Sequence, residues 1–193
     1  MLNRYFYIIN NGNIMHPVKK LLVYPFLCLA TCLLFACPYS SPYSPDEGSA
    51  NMVDEFLVGK WATMISSSNG KDQPVKVILE KKTENLYGIH FISDLSELNP
   101  YIKVSGDSLS GTAFINNISD RQFMSVQVKG LKYLAEVKIK DGKLNLLTLC
   151  DHFTNKLIKS NAEIHKAIEL HYAMRLHPLY DESFSLKEMV RVN

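Results

Sequence analysis

Four cysteines carry the clearest chemical signal in this sequence of 193 residues. Cys28, Cys32 and Cys37 lie within or just after an apolar stretch near the N-terminus, and Cys150 lies far along the chain. A cysteine thiol can form a disulfide, bind a metal, act as a nucleophile or accept a lipid. Because Cys28 and Cys32 fall in a stretch that looks removable, we expect Cys150 to have no disulfide partner if Cys37 carries a lipid. Cys37 is then the cysteine with a chemical role.

The apolar stretch, residues 21–36, follows two lysines and has the composition of a signal peptide. Its 16 residues are fewer than the roughly 20 that a membrane-spanning helix needs. We therefore expect residues 1–36 to be a signal peptide. A start at Met15 gives a signal peptide of ordinary length, and residues 1–14 then lie upstream of the true start.

Leu34-Phe35-Ala36-Cys37 ends this stretch and resembles the lipobox of bacterial lipoproteins. The resemblance implies cleavage before Cys37, a diacylglycerol on its thiol and an acyl chain such as palmitate on its amine. It implies a protein held on a membrane of the cell envelope by lipid. Pro38 stands where an Asp retains many lipoproteins in the inner membrane, so an outer-membrane location is favoured. The alternatives are an uncleaved N-terminal anchor and ordinary secretion.

The net charge excludes one class of partner. The full chain has 21 basic and 19 acidic residues, but three of the basic ones precede Cys37, leaving 18 against 19 in the mature chain. A nearly neutral protein has no long-range attraction to phosphates. We therefore expect no nucleic-acid partner.

The other candidate chemical groups are poorly spaced for catalysis or metal binding. His165 and His171 are six residues apart, whereas two zinc ligands on one helix face are four apart. Cys150 and His152 are two apart at a strand end, which fits a buried small side chain and a surface residue as well as it fits a thiol with a base. Since no Gly-x-Ser-x-Gly elbow or phosphate loop is present, we expect no metal, no cofactor and no enzyme activity.

Residues 37–54 are rich in proline and serine, with Pro38, Pro42 and Pro45 closely spaced. Such a segment favours an extended spacer. We expect a lipidated tether over residues 37–54 and one folded domain over residues 55–193.

The folded domain begins with alternating apolar and polar residues, the period of half-buried strands. Asp141-Gly142 is a strong signal for a tight hairpin, and short turns join most of the segments, which favours an antiparallel meander. We predict a mainly β fold, an eight-stranded barrel or sandwich. The predicted strands are 57–65, 75–80, 86–92, a possible short strand 101–104, 108–116, 121–129, 131–140 and 143–149.

The C-terminal part predicts helices and a last strand. Asp151 can cap a short helix through Lys159, and Ser160 with Glu163 has the spacing of a capping box that opens a second helix. An apolar stripe on this second helix would pack on the sheet. Residues 184–192 predict a closing strand. The stripe consists of Ile164, Ala167, Ile168, His171 and Met174.

Gly59-Lys60-Trp61, near the start of the first strand, resembles the Gly-x-Trp signature of lipocalins. The order of eight antiparallel strands, a helix and a last short strand is also similar. The resemblance implies that Trp61 closes one end of a barrel and that a small apolar ligand enters the other. Residues Trp61, Val77, Tyr87 and Phe91 would line that site or form the core. A Thr-Asp-Tyr motif is missing, and no arginine follows the eighth predicted strand at Leu149-Cys150-Asp151-His152.

Two functions remain open. The first is a lipid-anchored, non-enzymatic envelope lipoprotein whose domain contacts a partner protein or the envelope surface. The second is a lipocalin-like carrier of a small apolar ligand. A large apolar cavity favours the carrier, and a filled core with exposed apolar surface favours the partner-binding domain.

Overall fold

The computed structural model describes residues 38–45, 47–66, 72–93, 108–154, 156–174 and 179–193. Within them, nine strands form one sheet. The strands are β1 (Ser40–Ser41), β2 (Gly59–Ser66), β3 (Asp72–Lys81), β4 (Tyr87–Ile92), β5 (Ser108–Ile118), β6 (Arg121–Val128), β7 (Leu131–Lys140), β8 (Lys143–Thr148) and β9 (Leu186–Val192).

Strands β2 to β9 close into an antiparallel barrel of eight strands. Each strand pairs with the next along the chain, and β9 returns between β8 and β2. The prediction of a mainly β, antiparallel fold is confirmed, and the closing pair decides for a barrel over a sandwich. The possible strand at 101–104 lies outside the described residues.

Short turns with left-handed backbone join the later strands. Lys140 pairs with Lys143, and the two residues between them, Asp141 and Gly142, have φ of 53° and 73°. Positive φ at both central residues fits the right-handed twist of the strands they join. The hairpin predicted at Asp141-Gly142 is confirmed.

Successive side chains of a strand point to opposite faces of the sheet, and apolar side chains on the two faces form two separate cores. Inward-facing side chains of all eight barrel strands, with Val53 and Leu57 from the segment before β2, form the core inside the barrel. A second core lies on the outer face of the barrel wall. Its buried members are Tyr39, Ile118, Phe123, Leu134, Leu149, Cys150, Phe153, Ile164, Ala167, Ile168 and Leu179.

One helix, α1 (Asn161–Met174), covers this outer core. Ser160 Oγ accepts a hydrogen bond from Glu163 N at 3.3 Å, and Glu163 Oε2 accepts one from Lys159 N at 2.6 Å, so the predicted capping interaction is present. Ile164, Ala167 and Ile168 of the predicted stripe are buried. His171 is only partly buried and Met174 is 52% exposed.

The prediction of a short helix from Asp151 to Lys159 is wrong for the residues that are described. Only a 3-10 turn, Asp151–Phe153, forms, and Thr154 has extended backbone with φ −140° and ψ 144°. Phe153 is buried against Tyr39, with ring centroids 5.2 Å apart. Tertiary packing of Phe153 therefore outweighs the local helical preference.

The prediction of a free spacer before the domain is also corrected. Ser40 and Ser41 pair with Tyr133 and Lys132 of β7, and Tyr39 N donates to Leu149 O at 2.8 Å. Farther on, Asn51 N donates to the Ile115 carbonyl at 2.7 Å. Backbone groups that the barrel strands leave unpaired need partners, and this segment supplies them. The folded body therefore includes the described residues from Pro38 onward.

Candidate functional site

The four residues predicted to line a ligand site lie on the inner face of the barrel. Trp61, Val77 and Tyr87 are completely buried in the inner core, and Phe91 packs against it. Trp61 Nε1 donates to Leu57 O at 2.9 Å, and Tyr87 Oη accepts from Asp54 N at 2.7 Å. The polar atoms of both aromatic residues are therefore used within the protein. These four residues act as core in this structure.

Arg191 of β9 closes the end of the barrel at which Trp61 lies. Its guanidinium carbon lies 5.3 Å from the centre of the Trp61 ring and 5.7 Å from that of Phe56. Its terminal nitrogen donates to the carbonyls of Phe56, at 2.9 Å, and Val58. No arginine follows the segment ending at Leu149, but the eighth barrel strand is β9, and β9 carries Arg191.

Gly59 makes room for this arginine. Its φ is +144°, and a Cβ placed on it would lie 3.2 Å from Arg191 Nε. A larger residue would be strained by its backbone angle and crowded by the guanidinium. The Gly-x-Trp pattern thus has a local physical cause, which is close packing of Trp61 and Arg191.

Glu136 is the most unusual polar residue of the outer wall. It lies on β7 beneath α1 and is 1% exposed. Its Oε1 accepts from Arg121 at 3.0 Å, and its Oε2 accepts from the Tyr172 hydroxyl at 2.8 Å and from the Tyr180 hydroxyl. Lys138 Nζ lies 3.2 Å from Oε2. We call these five residues the Glu136 cluster.

The cluster stabilises the charged form of its carboxylate. Burial by itself raises the pKa of Glu136, but hydrogen bonds from Tyr180, Tyr172 and Arg121 and the charge of Lys138 outweigh it, so the pKa lies below its usual value. Burial and the Glu136 charge act the other way on the two hydroxyls. They raise the pKa of Tyr172 to about 12 and also raise the pKa of Tyr180.

Two clefts open on the outer wall, and the first lies beside this cluster. The first, about 550 Å3, is polar and is lined by Asn117, Asp120, Arg121, Gln122, Glu136 and Lys138 among others. The second, about 420 Å3, lies between α1, β5 and the N-terminal segment, and its lining includes Pro45, Asn161 and His165. Asn117 lines both clefts. Amide and charged groups are thus the atoms that this surface offers to a binding partner.

The Glu136 cluster is better suited to holding segments of the protein together than to acid–base catalysis. A general acid or base needs a pKa near the working pH, whereas Glu136 is held ionised and the two tyrosines are held neutral. Tyr172 lies on α1 and Tyr180 lies between α1 and β9. The Glu136 cluster therefore fastens both elements to the wall of the barrel.

Sequence reasoning missed Glu136 because the alternation of β7 places it among lysines on the polar face. A signal was present in the neighbouring outward positions. Phe123 on β6 and Leu134 on β7 face the same way and are apolar. Apolar residues on both faces of a strand indicate cover on both sides, so a charge among them needs buried partners.

The other predicted chemical residues are not brought together. Cys37 lies outside the described residues. Cys150 is a buried thiol whose pKa is raised by burial. His171 Nδ1 lies 3.3 Å from the Phe153 carbonyl oxygen, and His165 lines the second cleft. In the described part of the chain, no three His, Cys, Asp or Glu side chains are grouped to hold a metal ion. None of the helices in that part is long and apolar enough to cross a membrane.

Comparisons with protein-family models, with curated proteins and with solved structures find no match to this chain. The functional argument therefore depends on the geometry of the chain itself.

Proposed function

We propose that the protein is a bacterial envelope lipoprotein, anchored through lipid on Cys37, whose barrel is a non-enzymatic binding domain for an envelope partner. The observation that carries the binding part is the packing inside the barrel. Side chains from all eight strands meet there, and three bulky ones, Trp61, Tyr87 and Leu79, are at most 1% exposed. A barrel of eight strands is just wide enough for its side chains to fill it.

The outer wall supports a contact made at the surface. Its two clefts present amides and charged groups that the Glu136 cluster and α1 hold in place. Rim contacts of this kind position a partner and set specificity. We propose an envelope protein as the partner, and the outer membrane as the location.

The carrier of a small apolar ligand remains the alternative. A carrier needs an apolar cavity. The residues that would line one, Trp61, Val77 and Tyr87, are instead buried members of the packed inner core. This packing favours partner binding over transport. Native mass spectrometry of the full-length protein extracted from its own membrane separates the two. A co-purifying protein supports the proposal, and a stoichiometric small apolar molecule contradicts it.

Metabolic labelling with palmitate tests the anchor. We expect labelled wild-type protein in the membrane fraction and complete loss of label in Cys37→Ser, because the sulfur is the acceptor of the diacylglycerol. The matched control is Cys32→Ser, a cysteine five residues earlier in the same stretch, which should keep its label. Label that persists in Cys37→Ser, or is absent from the wild type, would overturn the anchor.

A further inference from the structure

The segment Lys156–Lys159, on the outer layer of the barrel, exposes an apolar residue between two cations. Leu157 is 78% exposed, the highest value among the large hydrophobic side chains that the structure describes. Lys156 and Lys159 beside it are exposed as well. Ile158 packs against the outer core and holds the segment to the body. The segment therefore presents Leu157 outward from a fixed base.

This segment lies close to the point where the folded body begins. Pro38 forms a β-bridge with Cys150, and Phe153 N donates to the Cys150 carbonyl at 3.1 Å. The Phe153 ring packs on Tyr39. Leu157 follows Phe153 by four residues, so its Cα lies within ~14 Å of that of Phe153. Lipid on Cys37 would thus be attached beside this segment.

A second exposed apolar residue adjoins the same N-terminal strand. Leu131 is 40% exposed and precedes Lys132, which pairs with Ser41 of β1. One exposed leucine is ordinary on a protein surface. Leu131 and Leu157 are each next to a lysine, and each lies close in sequence to a residue that contacts the first residues of the body.

We propose that Leu157 inserts into the interface of the bilayer that carries the Cys37 lipid, with Lys156 and Lys159 at the level of anionic headgroups. The proposal rests on the lipid anchor proposed above. An apolar side chain flanked by lysines has the chemistry of an interfacial membrane contact. Because residues 38–41 are bound to the barrel, no free spacer separates the body from the membrane. The lipid and Leu157 together would fix the orientation of the barrel.

Site-specific fluorescence tests this orientation in the full-length, lipidated protein. Leu157→Cys is labelled with an environment-sensitive fluorophore and reconstituted in vesicles of phosphatidylethanolamine and phosphatidylglycerol that contain a spin-labelled phospholipid. Wild-type protein gives the labelling background, since Cys150 is 1% exposed. Ile139→Cys is the matched control. Ile139 is 43% exposed, lies between Lys138 and Lys140, and is six residues beyond Tyr133 on β7, about 20 Å along the strand.

We expect blue-shifted, strongly quenched fluorescence at position 157 and little quenching at position 139. Changing both lysines, Lys156→Glu with Lys159→Glu, should weaken the contact with the anionic vesicles about fivefold or more per lysine. The same double substitution should have little effect on the contact with vesicles of phosphatidylcholine alone. Equal quenching at 157 and 139 would overturn the proposed orientation.

The palmitate label on the same samples keeps the two proposals apart. A labelled protein with an unquenched fluorophore at position 157 overturns the membrane contact and leaves the anchor intact. An unlabelled protein overturns the anchor itself.

Discussion

Glu136 is a buried carboxylate whose partners come from four separate places in the chain. Arg121 lies on β6, Lys138 on β7, Tyr172 on α1 and Tyr180 ahead of β9. Hydrogen bonds to a buried charge are stronger than neutral ones, and a buried charged partner left without its counterpart is costly. The contribution of this one residue to stability should therefore be large for a side chain on the outside of a barrel.

Glu136→Gln should lower the free energy of unfolding by about 2–3 kcal/mol. The amide keeps the shape but loses the charge that Arg121 and Lys138 contact, and its NH2 group cannot accept from a tyrosine hydroxyl. Urea denaturation measures the change. Glu188→Gln is the control, because Glu188 is 74% exposed beside Lys143 and should change stability by less than about 1 kcal/mol.

The contribution of Glu136 to stability should also depend on pH. Because the pKa of Glu136 is lowered by folding, its contribution is complete above the pKa of the unfolded chain and is lost as pH falls through the folded-state value. The stability difference between wild type and Glu136→Gln should thus shrink below about pH 4. A difference that stays constant from neutral to acid pH would contradict the lowered pKa.

The contribution of Tyr172 to stability depends on pH in the opposite direction. Its pKa is raised by burial and by Glu136 to about 12, so its contribution is complete below the ordinary tyrosine pKa of about 10 and is lost between about pH 10 and 12. Absorbance at the tyrosinate band should show Tyr172 ionising after the exposed tyrosines. Tyr172→Phe should reduce the amplitude of that late ionisation by one tyrosine, and a titration unchanged by the substitution would contradict the raised pKa of Tyr172.

Strand β5 has little room near its middle, where its pairing with β4 ends and its pairing with β6 begins. Its first half pairs with β4 and its second half with β6. At Gly111, near this change, a Cβ would collide with the backbone carbonyl of Gln127 and lie 2.9 Å from Val128 Cγ2. The two strands approach closely there because glycine has no side chain.

Gly111→Ala should therefore destabilise the barrel by about 1–3 kcal/mol, as overpacking does in protein cores. Gly130→Ala is the control. Gly130 has φ +83° with no atom within 4 Å of an added Cβ, so its cost, about 1 kcal/mol, comes from backbone strain alone. Hydrogen exchange distinguishes them. Amides of β5 and β6 should lose protection in Gly111→Ala only, and equal loss in both variants would contradict the close approach.

Local patterns predicted the elements well where one face of a strand is polar. The alternation from Leu131 to Lys140 and the Asp141-Gly142 turn are recognisable without the fold, because period and turn chemistry are local. Contacts between distant segments could not be predicted. Proline spacing around Pro38 indicated a spacer, yet β7 has free backbone groups that bind it. The burial of Glu136 likewise depends on where α1 lies.

At the scale of the whole molecule, one core fills the inside of the closed barrel, and the other lies between the barrel wall and α1. The inner core is packed around Trp61, the single tryptophan of the sequence. A side chain with no exposed surface reports on its surroundings through its emission. Trp61 is thus a natural probe of whether anything enters the barrel.

Titration with a small apolar fluorophore should leave Trp61 emission unchanged. The reason is that the inner face is occupied by core side chains, so a ligand would have to displace them at a cost in packing. Leu79→Ala, which removes a side chain that is 1% exposed, should lower stability by about 2–5 kcal/mol and give the fluorophore room. Saturable quenching of Trp61 in the wild type would contradict the filled interior and favour the carrier.

The closing pair of strands has a consequence for how the chain folds. Lys60 at the start of β2 pairs with Val192 near the end of β9, so the first and last barrel strands can pair only after all the strands between them have been synthesised. Contacts between residues far apart in sequence slow folding. A ribosome-bound chain that lacks β9 has unpaired edges on both β2 and β8 and cannot complete the barrel. Both edges stay open until β9 has emerged and paired with β2 and β8.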